Sequence, residues 1–183
     1  MASAPEKGKP AGVRENENRL ASLYDEYYDK IAHYAYVRVG NKKEAEDIAS
    51  EVFLKALESI KSYQDQGVPM QAWLFRIAHT QVVDHLRKAS KYKTVSIDDV
   101  EIPVETDPAD TAETNIMMDS VKKAMLNLTE NQREVIRLRF FGGLSSQEVA
   151  RVLGKNDGAV REMQRAALDR LKQLLGKNEP QGH

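Results

Sequence analysis

The chain has no cysteine, which excludes disulfides and thiolate metal sites and suits a reducing compartment. It also lacks long apolar runs. Nothing approaches the roughly 20 residues needed to cross a bilayer, and the opening MASAPEKGKPAGVRENEN has no apolar core that could act as a secretion signal. A cytoplasmic protein without membrane insertion is therefore expected. Histidines are few, and His33, His79, His85 and His183 neither pair at i, i+4 nor fall in a ligand or catalytic motif. No glycine-rich phosphate loop is present, since Gly142 and Gly143 only separate two helical stretches. These absences argue against an enzyme and against any cofactor or metal, and no catalytic residue is expected.

The chain has 183 residues, 41% of them hydrophobic and 30% charged, a composition suited to one globular domain or two small ones. The net charge of -1 is a sum over unlike segments. Residues 1 to 90 are balanced, residues 91 to 117 carry 2 basic against 7 acidic side chains, and residues 118 to 183 carry 12 against 8. The C-terminal part is thus basic and follows an acidic stretch, as a nucleic-acid binder would have it, although charge alone is a weak indicator.

Residues 1–16 have almost nothing to bury and read as a disordered tail. Helical periodicity starts at Leu20 and runs through Leu23, Tyr24, Tyr27, Ile31 and Tyr34 to Gly40, a tyrosine-rich stripe better suited to a core than to base stacking. Asn41 and Glu44 cap a second helix with Ala45, Ile48, Ala49, Val52, Phe53, Ala56 and Ile60 inward. On its other face Asp47, Glu51, Leu54 and Glu58 recur at i, i+4, i+7 and i+11. Their spacing fits equally a solvated face with one stray leucine and a docking surface for a basic partner helix.

A loop, SYQDQGVP, precedes a third helix from Met70 to Ala89, which gathers Trp73, Leu74, Ile77, Ala78, Val82 and Leu86 on one side. Arg76, Thr80, Val83 and Arg87 line another side, followed by Lys88. That stripe could hold phosphates and touch bases, or be an ordinary surface. Periodicity fails from Ser90 to about Ala112, where two prolines and six acidic residues suggest a flexible linker, residues 91–113. Helix returns at Ile116, and Thr129 with Gln132 forms a capping box that opens a helix ending at Gly142.

The stretch from Leu144 to Leu174 has the grammar of a helix-turn-helix. Ser145 and Glu148 form a capping box, Val149, Ala150 and Leu153 point inward, and Gly154 ends the short helix. Asn156 or Asp157 can cap the next helix, with Val160, Met163, Ala167, Leu168, Leu171 and Leu174 inward. Ala150, Gly154 and Val160 supply a small residue at the helix crossing, a glycine at the left-handed turn and a branched residue at the seat. Lys155, Asn156, Asp157, Arg161, Glu162 and Arg165 are left on the outer, N-terminal side, where a recognition helix meets the major groove. A plain helical hairpin with a solvated charged face is the blander reading. Together these elements predict an all-α protein of two small helical domains, residues 17–90 and 114–176, with a tail at 177–183.

In this order the parts resemble the extracytoplasmic-function (ECF) sigma factors, the smallest members of the sigma-70 family of bacterial RNA polymerase initiation factors. The similarity runs from about Leu20 to Leu175. AEDIASEVFLKAL resembles the core-binding region, WLFRIAHTQVVDHLRK the region that melts and reads the -10 promoter element, and LTENQREVIRLRFFGGLSSQEVARVLGKNDGAVREMQRAAL the -35-binding domain. The resemblance implies core polymerase and promoter DNA as partners and admits an anti-sigma factor. It places Asp47, Glu51, Leu54 and Glu58 on the polymerase, and Arg76, Thr80, Val83, Arg87 and Lys88 on the -10 element. It also places the loop Tyr63 to Pro69 at a base flipped from the non-template strand, and Lys155, Asn156, Asp157, Arg161, Glu162 and Arg165 at the -35 element. Thr80 stands where many relatives have asparagine and Ala166 where many have arginine, which implies a weaker or different -35 preference. A sigma-like decoy for an anti-sigma factor and an ordinary helix-turn-helix repressor are the alternatives. The decoy could lose its DNA-facing arginines, which are present here, and the repressor leaves the first three helices unexplained.

Overall fold

The computed structural model describes residues 11–65, 67–92 and 112–176, with the side chains of 92 and 112–118 left out. Most of the expected linker, Gln66, the C-terminal tail and the first ten residues lie outside the described residues. Seven α-helices, α1 (Ala11–Val39), α2 (Lys42–Ser59), α3 (Met70–Tyr92), α4 (Ala112–Met125), α5 (Glu130–Ile136), α6 (Ser146–Leu153) and α7 (Asp157–Gly176), account for nearly all of them. A 3₁₀ turn, Ile60–Ser62, follows α2, and a π turn, Arg137–Phe141, follows α5. Among the described residues there is no strand.

Helix α1 begins at Ala11, inside the segment that composition assigns to a tail. The residues it adds include Ala11, Arg14 and Glu15, good helix formers that extend a helix already seated downstream. It stops at Gly40 (φ 72°), a left-handed residue. Asn41 Oδ1 then accepts the Glu44 N–H at 2.9 Å and opens α2, whose seven expected inward positions are all buried. Tyr34 lies fully buried with its ring edge-on to Phe75, whereas Tyr27 is half-buried and Tyr24 is exposed, so only part of the tyrosine stripe of α1 is core.

Both expected capping boxes form, Thr129 with Gln132 at α5 and Ser145 with Glu148 at α6. Gly154 takes φ 63°, and the Lys155 N–H reaches back to the Ala150 carbonyl at 2.9 Å, closing a Schellman turn. Asn156, rather than Asp157, caps α7 by accepting the Ala159 N–H at 2.7 Å.

Among the expected core positions Tyr24 and Leu168 are exposed, and several others, Leu153 among them, are only half-buried. Leu168 is 39% exposed, because it lies about 100° around α7 from Ala167, which with Val160 marks the axis of the buried face. Leu153 is only half-buried whereas Val152 is buried, because α6 packs against α3 as well as α7 and its buried arc shifts accordingly.

Helices α1 to α3 form one unit and α4 to α7 another, yet the two share a core. Val135, Leu138, Leu144, Val149, Ala150, Val152 and Val160 join the buried cluster of the first three helices, while Leu128, Ile136 and Ala167 make a second, smaller cluster. Helix α6 rests on α3, and the π turn rests on α1. Gly142 lies so close to Phe75 that an added Cβ would stand 2.8 Å from its ring. This is why Phe75, absent from the inward positions expected of the third helix, is fully buried.

Candidate nucleic-acid interface

On α2 the inner face is saturated by packing, and Asp47, Glu51, Leu54 and Glu58 are all exposed on the other side. Leu57, which a strict i, i+4, i+7 count passes over, is 52% exposed beside Leu54 at 53%. The acidic stripe therefore carries an apolar pair rather than one stray leucine. Glu51 pairs with Lys55 at 3.8 Å, a weak exposed pair.

On α3, Arg76, Thr80, Arg87 and Lys88 are exposed and Val83 is half-buried. The Thr80 hydroxyl donates to the Arg76 carbonyl at 3.0 Å, and Arg87 pairs with Asp84 at 3.3 Å, so neither side chain is fixed to a neighbouring helix. Arg76 is the exception. Its guanidinium donates to the Arg151 carbonyl at 2.7 Å and thereby caps the C-terminal end of α6. The loop before α3 is built: the Tyr63 ring leans on Trp73 at 4.9 Å, its hydroxyl donates to the Val68 carbonyl at 3.1 Å, and Asp65 accepts the Gly67 N–H at 3.2 Å. Burial raises the Tyr63 pKa, and the Asp65 charge adds to that effect.

On α7, Arg161, Glu162 and Arg165 are exposed, Lys155 and Asp157 half-exposed, and Asn156 is exposed with its carbonyl oxygen committed to the cap. Arg161 pairs with Asp157 at 2.8 Å, and Arg165 with Glu162 at 2.6 Å. The Arg165 hydrogen bond lowers the Glu162 pKa. Any phosphate arriving here competes with partners on the same helix. Arg139 and Ser146, which periodicity did not single out, line one shallow groove with Arg161, Gln164, Arg165 and Leu168. Arg139 donates to Gln164 at 2.8 Å and to the Leu144 carbonyl, tying the π turn to α7 and to the start of the helix-turn-helix.

A second polar cluster lies between the halves. Glu134 on α5 is 4% exposed and accepts hydrogen bonds from the Tyr34 hydroxyl and from His79 Nδ1 at 3.1 Å. Arg38 and Arg137 each approach its other oxygen at 3.3 Å. Burial alone would raise the Glu134 pKa. The His79 hydrogen bond, the two guanidinium groups and Tyr34 outweigh it and hold the carboxyl at about 2. Burial, reinforced by the Glu134 charge, pushes the Tyr34 hydroxyl well above its ordinary range.

Among the described residues no group of side chains could hold a metal ion, and no helix is long and apolar enough to cross a membrane. What remains is a set of exposed surfaces suited to binding. Residues 23–92 match Sigma-70 region 2, and residues 124–173 match Sigma-70, region 4. That pairing, on a chain whose described residues form helices and no strand, defines the sigma-70 class of RNA polymerase subunits. The chain is 40% identical over 157 residues to the ECF RNA polymerase sigma factor BldN of Streptomyces coelicolor, covering 84% of this chain and 59% of BldN. It is 37% identical over 134 residues to the ECF RNA polymerase sigma factor ShbA of Streptomyces griseus, covering 70% of each. Its fold is similar to that of the sigma factor RpoE from Bartonella quintana, crystallised with the anti-sigma factor NepR, with a TM-score of 0.63, 23% identity and coverage of 91% and 99%. The chain belongs to the ECF sigma factors, non-catalytic polymerase subunits that initiate transcription through promoter recognition.

Proposed function

We propose that the work of initiation is divided among three surfaces of this chain. Asp47, Glu51, Leu54 and Glu58, joined by Leu57, dock on a basic helical surface of core polymerase. Arg76, Thr80, Val83, Arg87 and Lys88, with the loop Tyr63 to Pro69, engage the -10 element as it opens. Arg161 and Arg165, aided by Lys155, Asn156, Asp157 and Glu162, meet the -35 element in the major groove. Extracting a base costs a few kcal/mol, which pocket and phosphate contacts with the opened strand offset.

The observation that carries this reading is the division of α2. Every inward position is buried while the acidic and leucine-bearing face is exposed and packs against nothing among the described residues. A helix-turn-helix repressor has no use for such a face. The test is transcription in vitro from a pool of upstream fragments of the parent genome, with sigma-free bacterial core polymerase and the purified chain. Discrete transcripts that require both components support the reading. A folded preparation that yields none, or that binds duplex tightly without polymerase, overturns it.

A further inference from the structure

We infer that Gln164 reads a guanine in the -35 element and that Arg139 is the positioning residue that makes it do so; this rests on the -35 assignment proposed above. Gln164 stands three residues after Arg161 on α7 and next to Arg165, and all three line one shallow groove with Arg139 of the π turn. Spacing alone gives no reason to single it out. Its partner does. Arg139 Nε donates to Gln164 Oε1 at 2.8 Å, and Nη1 of the same guanidinium donates to the Leu144 carbonyl. Both side chains are half-buried, and the two bonds fix the guanidinium at two points, so it cannot follow the amide.

The two ends of a glutamine amide have nearly the same shape, and a free one turns over to offer either oxygen or nitrogen. A guanidinium has donors only, so it admits the oxygen alone. Turning the amide over would set N–H groups against each other. The Gln164 amino group therefore faces away from Arg139, and it donates to nothing among the described residues. In the major groove an unrestrained glutamine pairs with adenine, giving a hydrogen to N7 and taking one from the N6 amino group. That contact needs both ends of the amide. With its oxygen held back by Arg139, Gln164 offers two N–H groups, a pattern that guanine meets with O6 and N7 on one edge. Cytosine has only a donor there, and adenine sets its amino group against one of the two hydrogens. Arg161 and Arg165 are tied only to acidic partners on their own helix, Asp157 and Glu162, and swing on long stems suited to phosphates. Gln164 is braced from a different element, as a base contact requires.

The test is selection by the holoenzyme, the purified chain with sigma-free core polymerase, on templates randomised across the -35 element and barcoded in the transcribed part. Wild type should favour guanine over adenine at one position by about fivefold or more. Gln164→Glu keeps the shape and the bond to Arg139 but turns an oxygen to the groove. At that position the preference should pass from guanine to cytosine, whose N4 amino group donates. Arg139→Met keeps an apolar stem and removes the donors, so adenine should rise to rival guanine there while the other positions hold. Thermal melting checks the fold of each variant, and the switch to cytosine decides the matter if Arg139→Met is unstable. A uniform loss of transcripts in Gln164→Glu, with every preference unchanged, puts Gln164 on a phosphate and overturns the inference. So does an unaltered transcript profile, and a folded Arg139→Met that still discriminates against adenine removes the positioning role. Wild-type holoenzyme that yields no transcripts, or shows no preference anywhere in the -35 element, overturns the proposed function instead.

Discussion

Acidification should release the two halves through Glu134, and the size of the effect follows from its surroundings. The carboxyl sits at about 2 in the folded chain against an ordinary 4.5, so folding or closure is favoured wherever it is ionised in both states. A depressed carboxylate pKa gives stability that is complete above the ordinary value and disappears as pH falls through the folded one. The window is therefore pH 4.5 down to about 2. Each pKa unit corresponds to about 1.4 kcal/mol, which makes the contribution about 3 kcal/mol for a side chain too buried for solvent to screen. Urea unfolding of wild type and Glu134→Gln at a series of pH values isolates this one group, because all other carboxylates titrate alike in both. Wild type should be more stable by about 3 kcal/mol at pH 7, and the gap should close as pH approaches 2. A gap that stays constant from pH 7 to pH 2.5 would refute the assignment of the shift to this cluster.

Glu51→Lys should weaken binding to core polymerase by about three- to tenfold while leaving the melting curve unchanged, since Glu51 is exposed and makes a weak surface pair with Lys55; unchanged core affinity would reduce the acidic stripe to a solvated face. Arg161→Ala should weaken binding to a -35 duplex between about fivefold and a hundredfold, and a titration with no loss would remove α7 as the reading helix. Gly154→Ala meets open space but must adopt φ 63°, so it should cost about 1–2 kcal/mol in urea unfolding; a neutral result would mean that the α6–α7 turn relaxes without strain.

Much of the helix-turn-helix was legible because its signals are local. A capping box satisfies donors within four residues, a left-handed glycine ends its own helix, and Ala150, Gly154 and Val160 act over a single turn. The faces of α2 were equally readable, since seven apolar positions at helical spacing leave only one way to bury them. Leu57 escaped because it falls beside the stripe rather than on it, and Leu168 because membership of an apolar helix does not settle which of two neighbouring leucines faces the core.

The sequence alone thus determined the helices, their caps, the turn between α6 and α7 and the division of each helix into faces, all of which depend on residues close along the chain. Only the tertiary structure decided what those faces meet. Glu134 lies 100 residues from Tyr34 and 55 from His79, and no periodicity marks it as buried, because a lone glutamate on an amphipathic helix reads as solvated until its partners are seen. Phe75 was likewise undecided until Gly142 closed over it. Burial of a charge or of an off-face ring is settled by the element packed against it, and that choice is made across the chain rather than along it.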